Sequence, residues 1–218
     1  MAATRLIVVR HGETTYNIEG RITGMGDAPL TELGKYQAER VGAYLADKSI
    51  DAIVASDLQR ARDTAQAIAN YHDLPVLEDP DLREIGMGEW EGLRFGEILE
   101  RDPDLAKLVR ADASRYTPPG GETLEHLRTR LVHALERWTT RYPDGTVVWV
   151  THGGTIGILM CHLMDIDLNR RHQFRHHNAS IHEIVVGGKY PVFEHLNEIA
   201  HLHDMRIADD KHYGKLGL

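Results

Sequence analysis

The sequence predicts an α/β domain with a largely parallel central sheet, and three observations carry that expectation. Two apolar runs, Leu6-Ile7-Val8-Val9 and Val147-Val148-Trp149-Val150, contain no alternating polar positions and read as strands buried on both faces. Each run ends at a histidine followed by glycine, in Arg10-His11-Gly12 and in Thr151-His152-Gly153-Gly154. Strand-like and helix-like segments alternate along the rest of the chain, which favours parallel strands joined by helices. In such a sheet ligands bind in the crevice beyond the carboxyl ends of the strands, where both His-Gly pairs would lie.

Taken in order, the first strand is followed by a stretch from Tyr16 to Pro29 with Gly20, Gly24 and Gly26 among polar residues, expected as a long ligand-facing loop. Thr31 caps a helix expected to run to about Lys48, with Val41 and Leu45 on its apolar side. Asp51 to Ala55 is the second buried strand. It ends at Ser56-Asp57-Leu58-Gln59, a capping-box pattern that opens a helix carrying Arg60 and Arg62 in its first turn. Cations are disfavoured beside the positive end of a helix dipole, and a bound anion would offset that cost.

Leu74 to Leu77 reads as a short strand. Asp81 to Gly92, with Glu84, Glu89 and Glu91 spaced by glycines, reads as an active-site loop. Two short helices are expected over 95–101 and 103–111. After Pro118-Pro119-Gly120-Gly121, Leu124, Leu127, Leu131, Ala134, Leu135 and Trp138 mark one face of an amphipathic helix. The second His-Gly strand leads into a helix over 154–164. Ser180 to Val186 and Pro191 to Leu196 flank Gly187-Gly188-Lys189-Tyr190, a hairpin at a sheet edge. Residues 1–203 are expected to form a single catalytic domain and 204–218 a polar tail.

Composition narrows the function. The chain has 218 residues and a formal charge of -8, so its surface as a whole repels nucleic acid and anionic membrane, and any bound anion must meet a local cluster of Arg and His. The single cysteine, Cys161, excludes an internal disulfide and a cysteine-based metal site. No apolar stretch approaches the ~20 residues of a membrane span, and no signal-peptide core precedes the first strand. A cytoplasmic protein without nucleic-acid or membrane partners is the expectation, and nothing opposes a homodimer.

Arg10, His11, Arg60, Arg62, Glu84 and His152 lie at strand ends, helix starts or a glycine-rich loop, places that share one sheet edge. Guanidinium groups, two imidazoles and a carboxyl group together suit binding a phosphate and transferring it to nitrogen. A neutral His11 would attack phosphorus, its imidazolium being disfavoured by Arg10. Arg10, Arg60 and His152 would neutralise the equatorial oxygens. Glu84 beside a bound dianion would have a raised pKa, protonate the leaving alkoxide and then activate water. Two imidazoles would thus be brought face to face across one phosphorus atom.

Arg10-His11-Gly12-Glu13-Thr14-Thr15-Tyr16-Asn17 resembles the R-H-G-x-[ST]-x-x-N signature of the histidine phosphatase superfamily, the phosphoglycerate-mutase-like enzymes. The resemblance continues in family order through Asp27 to Gly34, Ser56 to Ala61, Leu82 to Ile85, Gly120 to Thr123 and Thr151 to Gly154. It implies a three-layer α/β/α sandwich with a mostly parallel sheet. By the same likeness His11 is the phosphorylated nucleophile, Arg10, Arg60 and His152 form the phosphate pocket, Glu84 is the proton donor, and Asn17 assists at the phosphate. Thr23, Gly24 and Gly153 join the expected phosphate-binding set, whereas Arg62 matches no motif position and is expected at the surface or pocket rim.

Mutases of the family usually follow the acid with an Arg-His-Tyr-Gly run. Here Ile85-Gly86-Met87-Gly88-Glu89-Trp90-Glu91-Gly92 follows, which resembles the broad-specificity phosphatase branch. Acidic Glu89 and Glu91 would be awkward neighbours for a second phosphate. The resemblance therefore implies a metal-independent phosphatase acting on a small phosphorylated metabolite, with no cofactor. The alternatives are a cofactor-dependent phosphoglycerate mutase and a catalytically silent phospho-ligand binder of the same fold.

Several other features are read as structural. Trp90 and Trp138 are expected to pack. Asp165-Ile166-Asp167 follows a helix instead of closing a first strand, so it is no D-x-D phosphatase motif. The histidines crowded between 172 and 203 lack the acidic partners of a designed metal site, Arg170, Arg171 and Arg175 are expected to form a solvated face, and Asn178 and Ser180 are expected near the pocket.

Overall fold

Leu6 and Val8 pack on one side of the first strand while Ile7 and Val9 pack on the other, and all four are fully buried. The structure is a computed structural model that describes residues 2–112 and 114–205. The strand is β1 (Thr4–Arg10), and β2 (Ala52–Ala55) and β4 (Thr146–Thr151) alternate in the same way between two apolar clusters. Full burial of each Val, Leu or Ile stabilises the fold by about 1.5–3 kcal/mol, which is why unbroken apolar runs define these strands.

Among the described residues the sheet has six strands in the order β3-β2-β4-β1-β5-β6, with β3 (Val76–Glu78), β5 (Ile181–Val186) and β6 (Val192–Glu198) completing it. Strands β3, β2, β4 and β1 run parallel, and β5 pairs antiparallel with β1. Helices α2 (Glu32–Leu45) and α3 (Gln59–Ala69) cover one face through Val41, Leu45, Ala61, Ala65 and Ile68. Helices α6 (Leu124–Arg141) and α7 (Gly153–Leu163) cover the other through Leu127, Leu131, Ala134, Trp138 and Ile156. This is the expected three-layer α/β/α arrangement.

Two expected elements differ in detail. The stretch after β1 opens with a short helix, α1 (Thr15–Glu19), because the Thr14 hydroxyl accepts from the Asn17 backbone while the Asn17 side chain accepts from the Thr14 backbone. This reciprocal cap offsets the cost of starting a helix beside a glycine-rich stretch. The capping box at Ser56 and Gln59 does not form, since α3 begins only after Leu58 with no side-chain cap; Ser56 Oγ accepts from the Leu58 N–H at 3.3 Å and also meets His152 at 2.8 Å.

Helices α4 (Phe95–Arg101) and α5 (Leu105–Asp112) stand close to where they were expected. The 81–92 segment contains single 3-10 turns at Pro80–Leu82 and Gly88–Trp90. Most of the expected tail, residues 206–218, lies outside the described residues. Among the described residues no helix is long and apolar enough to cross a membrane.

Candidate active site

His11 directly follows β1, and its backbone N–H donates to the Thr151 carbonyl of β4 at 3.0 Å, so both His-Gly strand ends are tied together. The loop that carries it is held from several sides. Gly12 N–H donates to Thr64 Oγ1 at 3.1 Å, and the Asn178 side-chain amide lies within 3.1 Å of the His11 carbonyl and 3.3 Å of the Gly12 carbonyl. A Cβ on Gly12 would stand 2.3 Å from the Gly34 carbonyl oxygen, so only glycine lets this loop press against α2.

The His11 side chain is buried, and its Nδ1 lies 2.7 Å from the Gly12 carbonyl. A carbonyl oxygen only accepts, so Nδ1 carries the hydrogen and Nε2 keeps the lone pair. Burial, then Arg60 and then Arg10, hold the His11 pKa well below the ordinary imidazole value, against the opposing pull of the Gly12 carbonyl. Desolvation is therefore a larger cause of His11 neutrality than the Arg10 charge invoked from sequence.

A cavity of about 730 Å³ opens in front of His11, and all the sequence-predicted site residues except His152 line it: Arg10, His11, Asn17, Thr23, Gly24, Arg60, Glu84 and Gly153. Arg10 donates to the His176 carbonyl. Arg60 is 1 % exposed and donates to the carbonyls of Gly26 at 2.8 Å and Gly24 at 2.7 Å, which fixes the Thr23–Gly26 turn over the site. Burial lowers the Arg60 pKa to about 10, with Glu84 and Asp27 opposing the fall, so the guanidinium stays charged at neutral pH. Asn17 Oδ1 accepts from the Thr14 backbone and from Asn178, and the Asn17 side-chain nitrogen makes no hydrogen bond among the described residues.

His152 stands behind this lining. It is fully buried, its ring centroid lies 5.1 Å from that of His11 at an interplanar angle of 58°, and its nitrogens face Arg60 Nε at 3.2 Å and Ser56 Oγ at 2.8 Å. Rings this close are in contact, so no phosphorus fits between their faces. The expected convergence of the imidazoles is present, but the open position belongs to His11 alone, at its cavity side. Burial, then Arg60, keep His152 well below the ordinary imidazole pKa.

Glu84 reaches the N-terminus of α7, where its carboxylate accepts from the backbone of Gly154 at 3.0 Å and Thr155 at 3.1 Å, and from Ile85 at 2.9 Å. A negative group is favoured at that helix end. Of the carboxylates lining the cavity, Glu19 pairs with Arg21 and Glu122 with Arg130. Glu84 forms no ion pair among the described residues: Arg83 pairs with Asp57 and Arg5 with Glu183 and Glu194.

Sequence reasoning missed a brace beneath Glu84. Arg130 on α6 donates to the carbonyls of Asp81 and Arg83 at 2.7 Å, to the Glu84 carbonyl at 2.9 Å, and to both oxygens of Glu122 at 2.8 Å. All five guanidinium donors are used, and the acid's backbone is held by α6. Glu91, read as a deterrent to a second phosphate, accepts from the backbone of Met25 at 2.9 Å and Met87 at 3.0 Å and so ties the Gly24 turn to the 81–92 segment.

Arg62 is at the surface beside Glu78 and Gln59. Trp138 packs, donating to Asp79 at 2.6 Å, whereas Trp90 lines the cavity, stacked on Tyr116. Arg171, His172 and His176 also line it, so of the arginines expected on a solvated face Arg171 turns inward. Asn178 braces the His11 loop without lining the cavity. Among the described residues no group of three or more His, Cys, Asp or Glu could hold a metal ion.

An imidazole lone pair at a strand end, with buried guanidiniums around it and a carboxylate at the facing helix terminus, is an arrangement whose charges suit a phosphoryl group. The chain belongs to the histidine phosphatase superfamily (branch 1), whose family model matches residues 6–199. It is similar to the glucosyl-3-phosphoglycerate phosphatase of Mycolicibacterium vanbaalenii, 37% identical over 176 residues and covering 78% of each chain. It is also similar to the phosphoglycerate mutase-like protein 4 of Arabidopsis thaliana, 40% identical over 154 residues that cover 69% of this chain and 67% of that one. The structure of Bacillus stearothermophilus YhfR superposes with a TM-score of 0.85 at 33% identity, covering 92% of this chain and 100% of that chain. The chain spans 43% of the length of the bifunctional protein Rv2228c of Mycobacterium tuberculosis, which it matches at 40% identity over 158 residues.

Proposed function

We propose that the protein is a phosphomonoesterase that hydrolyses small phosphorylated metabolites through a phosphohistidine on His11, with no metal taking part. The observation that carries this reading is the Gly12 carbonyl at His11 Nδ1, which leaves the Nε2 lone pair on a neutral imidazole beside two guanidiniums. Nε2 attacks phosphorus, an N–P bond forms, and the P–O bond to the alcohol breaks. The leaving oxygen takes its proton from Glu84. Water then attacks the phosphohistidine and gives a proton to the Glu84 carboxylate, and phosphate departs with His11 restored.

Arg10 and Arg60 supply positive charge of the kind that phosphoryl transfer requires. Asn17, Thr23, Gly24 and Gly153 offer further polar groups around the phosphoryl position, and His152 supports Arg60 from behind. Glu84 is read as the acid because it is the cavity carboxylate not committed to a cation. The silent-binder alternative would leave Glu84 and the His11 lone pair without a use. A cytoplasmic location goes with this reading, the single cysteine being buried and free.

The test is release of phosphate from p-nitrophenyl phosphate in the presence of a chelator. Turnover that is lost in His11→Ala supports the reading. Turnover that survives that substitution, or that requires added metal, contradicts it.

A further inference from the structure

Trp90 and Tyr116 stack with centroids 5.0 Å apart and planes 15° from parallel, and both line the cavity that holds His11. They come from separate segments, the 3-10 turn at Gly88–Trp90 and the stretch beyond α5, so the pair is assembled by the fold. Phe95, Leu99, Ile22 and Met87 line the same cavity. Neither the Trp90 indole nitrogen nor the Tyr116 hydroxyl makes a hydrogen bond to the described residues. Both residues are half-buried at the cavity wall.

The size and charge of the cavity point the same way. A volume of about 730 Å³ lies within the range of pockets that enclose a whole multi-ring ligand, far more than a phosphoryl group needs. Of the cations near the aromatic segment, Arg21 is committed to Glu19 and the Gly92 carbonyl, and Arg94 Nε to the Glu19 carbonyl.

We propose that Trp90 and Tyr116, with Phe95, Leu99, Ile22 and Met87, form a leaving-group subsite that takes the aromatic body of a phosphate monoester. This rests on the phosphomonoesterase reading of the site and goes beyond it by naming the class of ester. The ring of the departing alcohol lies against the Trp90–Tyr116 pair while its phosphoryl group meets His11. Polar substituents on the ring reach the indole N–H and the phenol.

The test compares esters of equal leaving-group basicity. In titration calorimetry, 2-phenylethylphosphonate is expected to bind the wild-type protein about tenfold more tightly than ethylphosphonate, and kcat/KM for 2-phenylethyl phosphate is expected to exceed that for ethyl phosphate by a similar factor. Trp90→Ala brings both ratios close to one, Tyr116→Leu lowers them, and Trp90→Phe retains them. Equal binding of the two phosphonates by the wild type, or unchanged ratios in Trp90→Ala, would overturn the subsite. Because phosphonate binding needs no turnover, loss of the subsite is distinguishable from failure of the phosphatase reading, in which neither ester releases phosphate.

Discussion

Arg60 Nε donates to His152 Nδ1 across 3.2 Å, joining the start of α3 to the end of β4. An arginine N–H can only donate, so His152 carries its hydrogen on Nε2 and gives it to Ser56 Oγ at 2.8 Å. The ring is thereby locked in one tautomer, and Arg60 is held where it can face the cavity. Ser56→Ala leaves a fully buried N–H without a partner, at a cost of about 1–3 kcal/mol. For a chain of this length, Tm is expected to fall by roughly 2–10 °C. A thermal melt indistinguishable from wild type would contradict this account of His152.

Arg130 touches no substrate in the proposed mechanism but uses all its donors to hold the Asp81–Glu84 backbone and Glu122. Arg130→Met is expected to lower kcat by about 10–100-fold as Glu84 loses its alignment, with a much smaller change in KM. Arg130→Lys does not restore kcat, because a point charge cannot replace a planar fork with five donors. A change confined to KM would show that Arg130 acts on binding instead.

Gly154 lies so near Glu84 that an added Cβ would stand 2.6 Å from Oε1. Gly154→Ala therefore pushes the carboxyl group away from the α7 terminus. A general acid matters most when the leaving alcohol is basic, so turnover of an alkyl phosphate is expected to drop about 100-fold while p-nitrophenyl phosphate is affected far less. Equal losses on both esters would remove Glu84 from the role of proton donor.

Stability is expected to decline in acid because several histidines are buried in neutral form. Burial lowers the pKa of His182 to about 4, and burial with Arg171 lowers that of His172 to about 4, against 6.5 in an unfolded chain. Between these values the unfolded chain binds protons that the folded one refuses, so the stabilisation is complete above pH 6.5 and is lost as pH falls toward 4. For His182, 1 % exposed, the amount is on the order of 3 kcal/mol. Denaturant melts at pH 7 and pH 5 test the sign, and a free energy of unfolding that rises on acidification would contradict it.

Much of the fold was legible because its signal is local. Leu6 to Val9 and Val147 to Val150 are apolar at every position, and only strands covered on both faces require that. The capping of α2 by Thr31 was readable for the same reason, since the hydroxyl meets the Gly34 N–H within one turn. Ser56 carried an equally good local pattern, yet α3 starts two residues later than that pattern implies, and the Ser56 hydroxyl also meets His152, a partner distant in sequence. The brace from Arg130 to Glu84 spans 46 positions, and no spacing rule announces it.

The two His-Gly strand ends look alike in sequence but have different surroundings. Nothing local says that Arg60 and Ser56 will close over His152 and leave His11 at the cavity. Trp90 had the composition of a packing residue, and its place in the cavity depends on Tyr116, which sits beyond two intervening helices. The residue types gathered at the cavity were readable in the sequence, whereas the division between side chains that line it and side chains that stand behind came from tertiary contacts.

The central claim is that phosphate passes through the His11 nitrogen. The direct measurement is mass spectrometry of peptides after millisecond mixing with an excess of p-nitrophenyl phosphate and an alkaline quench, which preserves a nitrogen–phosphorus bond. A phosphoryl group on the peptide that contains His11, absent from His11→Ala, is the predicted result. Rapid turnover with no label on His11, or label on another residue, would contradict the account.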